Sequence, residues 1–162
     1  MYQAKHSLDP GQAASAAQFD RQSDRYGKSH ILADTQDVAL GLQGVAVPAG
    51  GTALDVATGG GHTALWLARQ GWKVTAGDIA PRMLDNVQKL CAEAGFVIET
   101  RLFPAEEMPF TGSSFDLVTV RVIARFVLKI GRGHCRRGMT GLSSQSMPRA
   151  WLWMLWVAED PS

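Results

Sequence analysis

The chain has 162 residues, 46% apolar and 19% charged, with a formal net charge of +1. That length buries a single-domain core without disulfides or metal, and the composition excludes a disordered or collagen-like chain. Charge is unevenly spread, since residues 1–116 hold 13 acids against 9 Lys/Arg and residues 117–162 hold 7 Lys/Arg against 2 acids, so a basic nucleic-acid arm has to be weighed.

The opening stretch, MYQAKHSLDPGQAA, lacks the apolar run of a secretion signal. Residues 12–26 are polar and helix-compatible, with Ala16, Phe19 and Tyr26 as apolar anchors. A second helix is expected from about Thr35 to Leu42, capped by Asp34 or Thr35 and followed by Gly44. Pro48, Gly50 and Gly51 mark a turn. Thr52 to Ala57, apolar except for Asp55 and Thr52, then reads as a buried strand. Beyond the tight loop Gly59-Gly60-Gly61, the apolar residues Ala64, Leu65, Leu67 and Ala68 carry a helix as far as Gly71.

Trp72 to Ala76 predicts a second strand ending at Gly77 and Asp78, and Pro81 suits the first position of the next helix. Met83, Leu84, Val87, Leu90 and Cys91 line one face of that helix, which Gly95 stops. Phe96 to Leu102 is expected as strand three, residues 104–114 as loop, and Phe115 to Val122 as an apolar strand four. Alternating strands and helices with short connections predict a Rossmann-like, doubly wound α/β sheet, mostly parallel, with helices on both faces. The expected division is a helical cap segment (1–50), a core (51–122) and an irregular basic segment ending in a strand (123–162). Trp151 to Val157 is that strand, too short to span a bilayer. Cys91 and Cys135 form no CxxC pattern, which points to free thiols in a reducing, cytoplasmic setting.

In such sheets, ligands bind outside the carboxyl ends of the strands. Four features fall there. Leu54 to His62 ends strand one in glycines, which let backbone approach a ligand closely, and the following helix points N–H groups at the same spot. Asp78 ends strand two, where an acid can accept bonds from ribose hydroxyls, although it can also cap the Pro81 helix. Pro104-Ala105-Glu106-Glu107-Met108-Pro109-Phe110 follows strand three, and Arg121 ends strand four. Glycine loop and acid alone also fit a nicotinamide dinucleotide. No residues have metal-ligand spacing, including His134-Cys135.

Taken in order, ALDVATGGGHTALWLA, VTAGDIAPRML and PAEEMPFTGSSFDLVTVR resemble the class I S-adenosylmethionine-dependent methyltransferases, above all the ubiquinone and menaquinone C-methyltransferase group. FDRQSDRYGKSHIL resembles the stretch that precedes the sheet in that group. The resemblance covers about residues 18–121. It implies S-adenosylmethionine as cofactor, with Asp55, Ala57, Gly59 and Gly61 in the loop around its methionine part. Ala57 stands where the family has its first glycine. Asp78 would take the ribose hydroxyls, Ile79 would pack on the adenine, and Ala105 and Glu106 would flank it. Pro104 stands where the family often has Asp. Arg121 is the candidate for touching an acidic or phenolate acceptor, and no catalytic residue is named.

After strand four the resemblance stops. Residues 122–150 are rich in Arg and Ser and have no acid, which suggests a frame-disturbed, poorly ordered segment in a C-terminally truncated fold. A nucleic-acid arm is the weaker reading, because its basic residues are accompanied only by Phe126. The functions in play are a methyltransferase acting on a small, quinone-like or phenolic molecule, a cofactor-binding remnant without turnover, and a nicotinamide-dependent oxidoreductase. Self-association through an exposed sheet edge is a further expectation.

Overall fold

The computed structural model describes residues 7–27, 33–112, 114–123 and, as backbone, 151–157. Helix α1 spans Pro10–Gly27 and α2 spans Gln36–Gly41. Strand β1 (Thr52–Val56), α3 (His62–Arg69), β2 (Lys73–Asp78), α4 (Pro81–Glu93) and β3 (Glu99–Leu102) alternate as expected, and β4 (Leu117–Ile123) and β5 (Trp151–Val157) follow. Among the described residues the sheet order is β3-β2-β1-β4-β5. The first four are parallel, while β5 pairs antiparallel with β4 at the edge. The sheet is therefore the mostly parallel, Rossmann-like type that the alternation predicts. The expectation of an irregular, poorly ordered segment up to residue 150 falls on residues outside those described.

Local chemistry sets the element ends. Asp34 rather than Thr35 supplies the side-chain cap of α2, its Oδ1 accepting from Gln36 N–H at 3.0 Å. Pro81 opens α4, where a missing N–H leaves no bond unmade. Gly95 takes φ 83° after α4, and Phe96 N–H returns to the Cys91 carbonyl at 2.8 Å, the closure of a left-handed helix end. That bond corrects the expected start of strand three. Phe96 still belongs to the helix end, Val97 is fully exposed, and pairing with β2 begins only at Glu99.

Strand residues alternate between two faces, and the core divides accordingly. Ala53, Val74, Ala76 and Leu117 share a cluster with Leu67 of α3 and Val87 of α4. On the opposite face, Leu54, Val56, Val118 and Val120 pack with Phe103 and Phe115. Among the described residues, that second face is covered by the 103–115 loop, whose Phe103, Phe110 and Phe115 meet edge to face at centroid distances of 5.5 and 4.9 Å. Gly77 permits this packing, because a Cβ there would overlap the Phe103 ring.

Candidate functional site

The sheet order changes direction about β1, with β2 on one side and β4 on the other, the switch point beyond whose carboxyl strand ends ligand crevices form. The chain leaves β1 through Ala57 at φ 54°, the one non-glycine with positive φ among the described residues, and then passes Gly59 (φ 54°) and Gly61 (φ 82°) into α3. Thr58 N–H donates to the Gly77 carbonyl and Gly61 N–H to the Thr58 carbonyl, both at 3.0 Å. The first bond ties the loop to β2 and the second closes the loop on itself. Gly61 faces α4 rather than the crevice, and a Cβ there would come within 2.8 Å of Val87 Cγ2.

Two acids anchor the loop. Asp55 is buried below it, with Oδ2 accepting from Thr58 Oγ1 and Oδ1 from Thr119 Oγ1, each at 2.7 Å. Burial pushes the Asp55 carboxyl up to about 6, against the opposing pull of both hydroxyls and of Arg121, with Asp78 adding to the rise. Asp78 accepts from Gly59 N–H at 2.9 Å through Oδ2 and from Ala80 N–H at 3.0 Å through Oδ1. It thus fixes the loop and the entry to α4 together. Burial raises its carboxyl as well, opposed by the N–H groups of Ala80, Gly59 and Ile79.

Above the loop lies a cleft of about 750 Å³, within the roughly 300–1,000 Å³ usual for small-molecule sites. Of the residues singled out from sequence, Asp55, Ala57, Gly59, Asp78, Ile79, Ala105, Glu106 and Arg121 all line it. Gly61 does not line it and serves helix packing. Arg121 is no open arm reaching for a ligand. Its Nε and Nη2 grip both carboxylate oxygens of Asp37 at 3.1 Å, and Nη2 also donates to the Asp34 carbonyl at 2.6 Å. The side chain is 7% exposed, so this fork fastens α2 to the end of β4. Among the described residues, no group of three or more His, Cys, Asp or Glu could hold a metal ion.

Sequence reasoning missed three contributors. Thr58 and Thr119 hold Asp55, and α1 closes the cleft with Gln12, Ser15, Gln18, Phe19 and Gln22. Their spacing of three and four places them on one helix face, a signal present in the sequence. The helix is positioned by Asp20, whose Oδ1 accepts from Arg82 N–H at 3.0 Å, and by the Ser23 carbonyl, which accepts from Asn86 Nδ2 at 3.2 Å.

Residues 54–132 match the protein family described as methyltransferase domain. The chain is 32% identical over 137 residues to the demethylmenaquinone methyltransferase of Clavibacter sepedonicus, an alignment covering 82% of this chain and 55% of that protein. To the uncharacterized methyltransferase YcgJ of Bacillus subtilis (strain 168) it is 28% identical over 109 residues, 65% of this chain and 42% of that one. The chain thus spans about half the length of these relatives. Among solved structures, it is similar to geranyl diphosphate C-methyltransferase from Streptomyces coelicolor A3(2), in complex with Mg2+, geranyl diphosphate and S-adenosyl-L-homocysteine. That likeness has a TM-score of 0.55 at 12% identity over 73% of this chain and 67% of the other, and it concerns the fold. Sequence match and fold agree: residues 54–132 match the methyltransferase domain family, and the chain is similar in sequence and in fold to proteins named as methyltransferases.

Proposed function

We propose that the cleft binds S-adenosylmethionine and that the chain transfers its methyl group to a small-molecule acceptor. One observation carries the reading: Gly59 N–H is bonded to Asp78 Oδ2, so the glycine loop and the acid at the end of β2 form a single rim on the cleft. The donor set fits this cofactor. Asp78 accepts from the backbone N–H groups of Gly59 and Ala80, with that of Ile79 beside them, and its carboxylate keeps acceptor capacity, which suits a ribose hydroxyl. Ile79 and Ala105 offer apolar surface for adenine, and Glu106 stands beside them on the same cleft. Asp55 and Asp78 place negative charge beneath a ligand that carries positive charge. When bound, S-adenosylmethionine supplies a methyl group on a cationic sulfur that departs as a neutral thioether.

The chain's contribution is positional. Holding the reacting atoms in line supplies up to about 7–11 kcal/mol of a barrier, and α1 lines one side of the cleft. A quinone-like or phenolic acceptor is supported by the likeness to a demethylmenaquinone methyltransferase. Arg121 lines that cleft with its charge already balanced by Asp37. No helix among the described residues is long and apolar enough to cross a membrane, and we assign the chain to the cytoplasm. Isothermal titration with S-adenosylhomocysteine tests the reading. The wild type should bind it, and Asp78→Ala should lose about 1.5–3 kcal/mol, the worth of hydrogen bonds to a charged group. An unchanged affinity in that variant, or a preference for NAD, refutes the assignment.

A further inference from the structure

Strands β1 and β4 run parallel in a register that places Asp55 level with Thr119, and level residues on neighbouring strands share a face of the sheet. Both are buried, at 1% and 0% exposure. The Thr119 hydroxyl lies 2.7 Å from Asp55 Oδ1 but 3.5 Å from the Leu54 carbonyl, so its single proton serves the carboxylate. The neighbours of Thr119 in β4, Leu117, Val118 and Val120, are apolar and buried. A valine would fill that place without a buried hydroxyl, which is unfavourable unless bonded.

We propose that Thr119 is a positioning residue: its bond to Oδ1 fixes the Asp55 carboxylate so that Oδ2 holds Thr58, and through Thr58 the glycine loop, in the binding-competent shape. This rests on the reading that the cleft takes S-adenosylmethionine. Thr58 transmits the constraint because its side chain bonds Oδ2 while its N–H and carbonyl are committed to Gly77 and Gly61. With one hydroxyl on each oxygen, the carboxylate plane has no freedom to turn. The same two bonds favour the ionised form against burial.

The charges around Asp55 come from several elements. Arg121 of β4 opposes the rise of its carboxyl pKa and is itself paired with Asp37 of α2, while Asp78 of β2 adds to that rise. His62 at the start of α3 lines the same cleft, as do Glu106 and Glu107 beyond β3 and Asp9 before α1. Cys91 of α4 feels the Asp55 charge, although burial is the main cause of its pKa reaching about 11.

The experiment combines a ligand-free titration of Asp55, by carbon NMR of its side-chain carboxyl, with S-adenosylhomocysteine affinity between pH 5 and 8.5. Wild type should show a midpoint near about 6. Thr119→Val should raise it by about one pH unit, the scale of one hydrogen bond to a charged group. Affinity at pH 6.5 should fall several-fold, and part of that loss should persist above pH 8, where Asp55 is ionised but free to turn. Thr119→Ser should restore both midpoint and affinity. Thr119→Cys, which retains only a weak donor, should fall between, and it decides the matter should the valine variant not fold. An unmoved midpoint in the Val or Cys variant, or a Ser variant that behaves like Val, overturns the role of Thr119. Absence of S-adenosylhomocysteine binding in every protein, wild type included, refutes the cofactor assignment, while the NMR midpoints still decide whether Thr119 holds Asp55.

Discussion

Ala57→Gly should stabilise this protein, although a glycine usually weakens a fold. Ala57 leaves β1 at φ 54°, where an L side chain brings its Cβ against the carbonyl at a cost of about 1–2 kcal/mol. Glycine removes that strain but adds freedom to the unfolded chain worth about 0.4–1 kcal/mol. The difference leaves a net gain of about 0.5–1 kcal/mol. For a chain of this size, that corresponds to a rise of roughly 1–4 °C in Tm. Guanidinium unfolding at pH 7 gives the comparison directly, provided the slope with denaturant is unchanged. Ala53→Gly is the control. It lies four residues earlier in β1, fully buried in the core, and should lose about 0.5–1 kcal/mol or more. A destabilised Ala57→Gly, alongside a destabilised control, would show that the loop does not hold Ala57 in the left-handed region.

Gly77→Ala should lose about 1–3 kcal/mol through overpacking, because its Cβ would overlap the Phe103 ring. Combination with Phe103→Leu should recover part of that loss in thermal melts, and strictly additive losses would refute the contact. Asp55 should also make stability depend on pH. Its folded pKa of about 6 lies above the ordinary 3.8, so the folded state binds the extra proton and stability falls as pH rises between those values. The fall at this group is roughly 3 kcal/mol. Asp55→Asn should flatten that part of the pH–stability curve, and identical curves would show that Asp55 titrates normally.

The chain reveals its fold where pattern and punctuation agree. Pro81 and Gly95 bracket α4, and the apolar run after Asp116 is β4. Strand three was less legible, because Phe96 and Ile98 are apolar for packing against the helices and Val97 is exposed outside any strand. The site divides in the same way. Glycines and acids at strand ends are visible in the sequence, and the cleft gathers all of them except Gly61. Thr119 and Asp37 were invisible because their meaning depends on alignment in space. Thr119 matters only once the register sets it beside Asp55, and Asp37 only once α2 lies against the end of β4. The pairing of Arg121 was hidden for the same reason: a cation at a strand end looks available until its carboxylate partner, 84 residues away, is in place.

The unfavourable features of this fold gather around one short loop, and their location argues for function. Ala57 sits in a conformation that glycine would adopt without strain, while Asp55 and Asp78 are carboxylates drawn out of water. Strain and buried charge of this kind persist where surrounding structure enforces them. Here the enforcing groups are Thr58, Thr119 and the N–H groups of Gly59 and Ala80, every one of which bonds an acid oxygen. The result is two carboxylates held in fixed positions below the cleft, which the cationic ligand proposed above would meet already in place. Preorganised charge of this kind acts more strongly in a water-poor site than in water. A cleft built only to pack helices on a sheet would have no use for it.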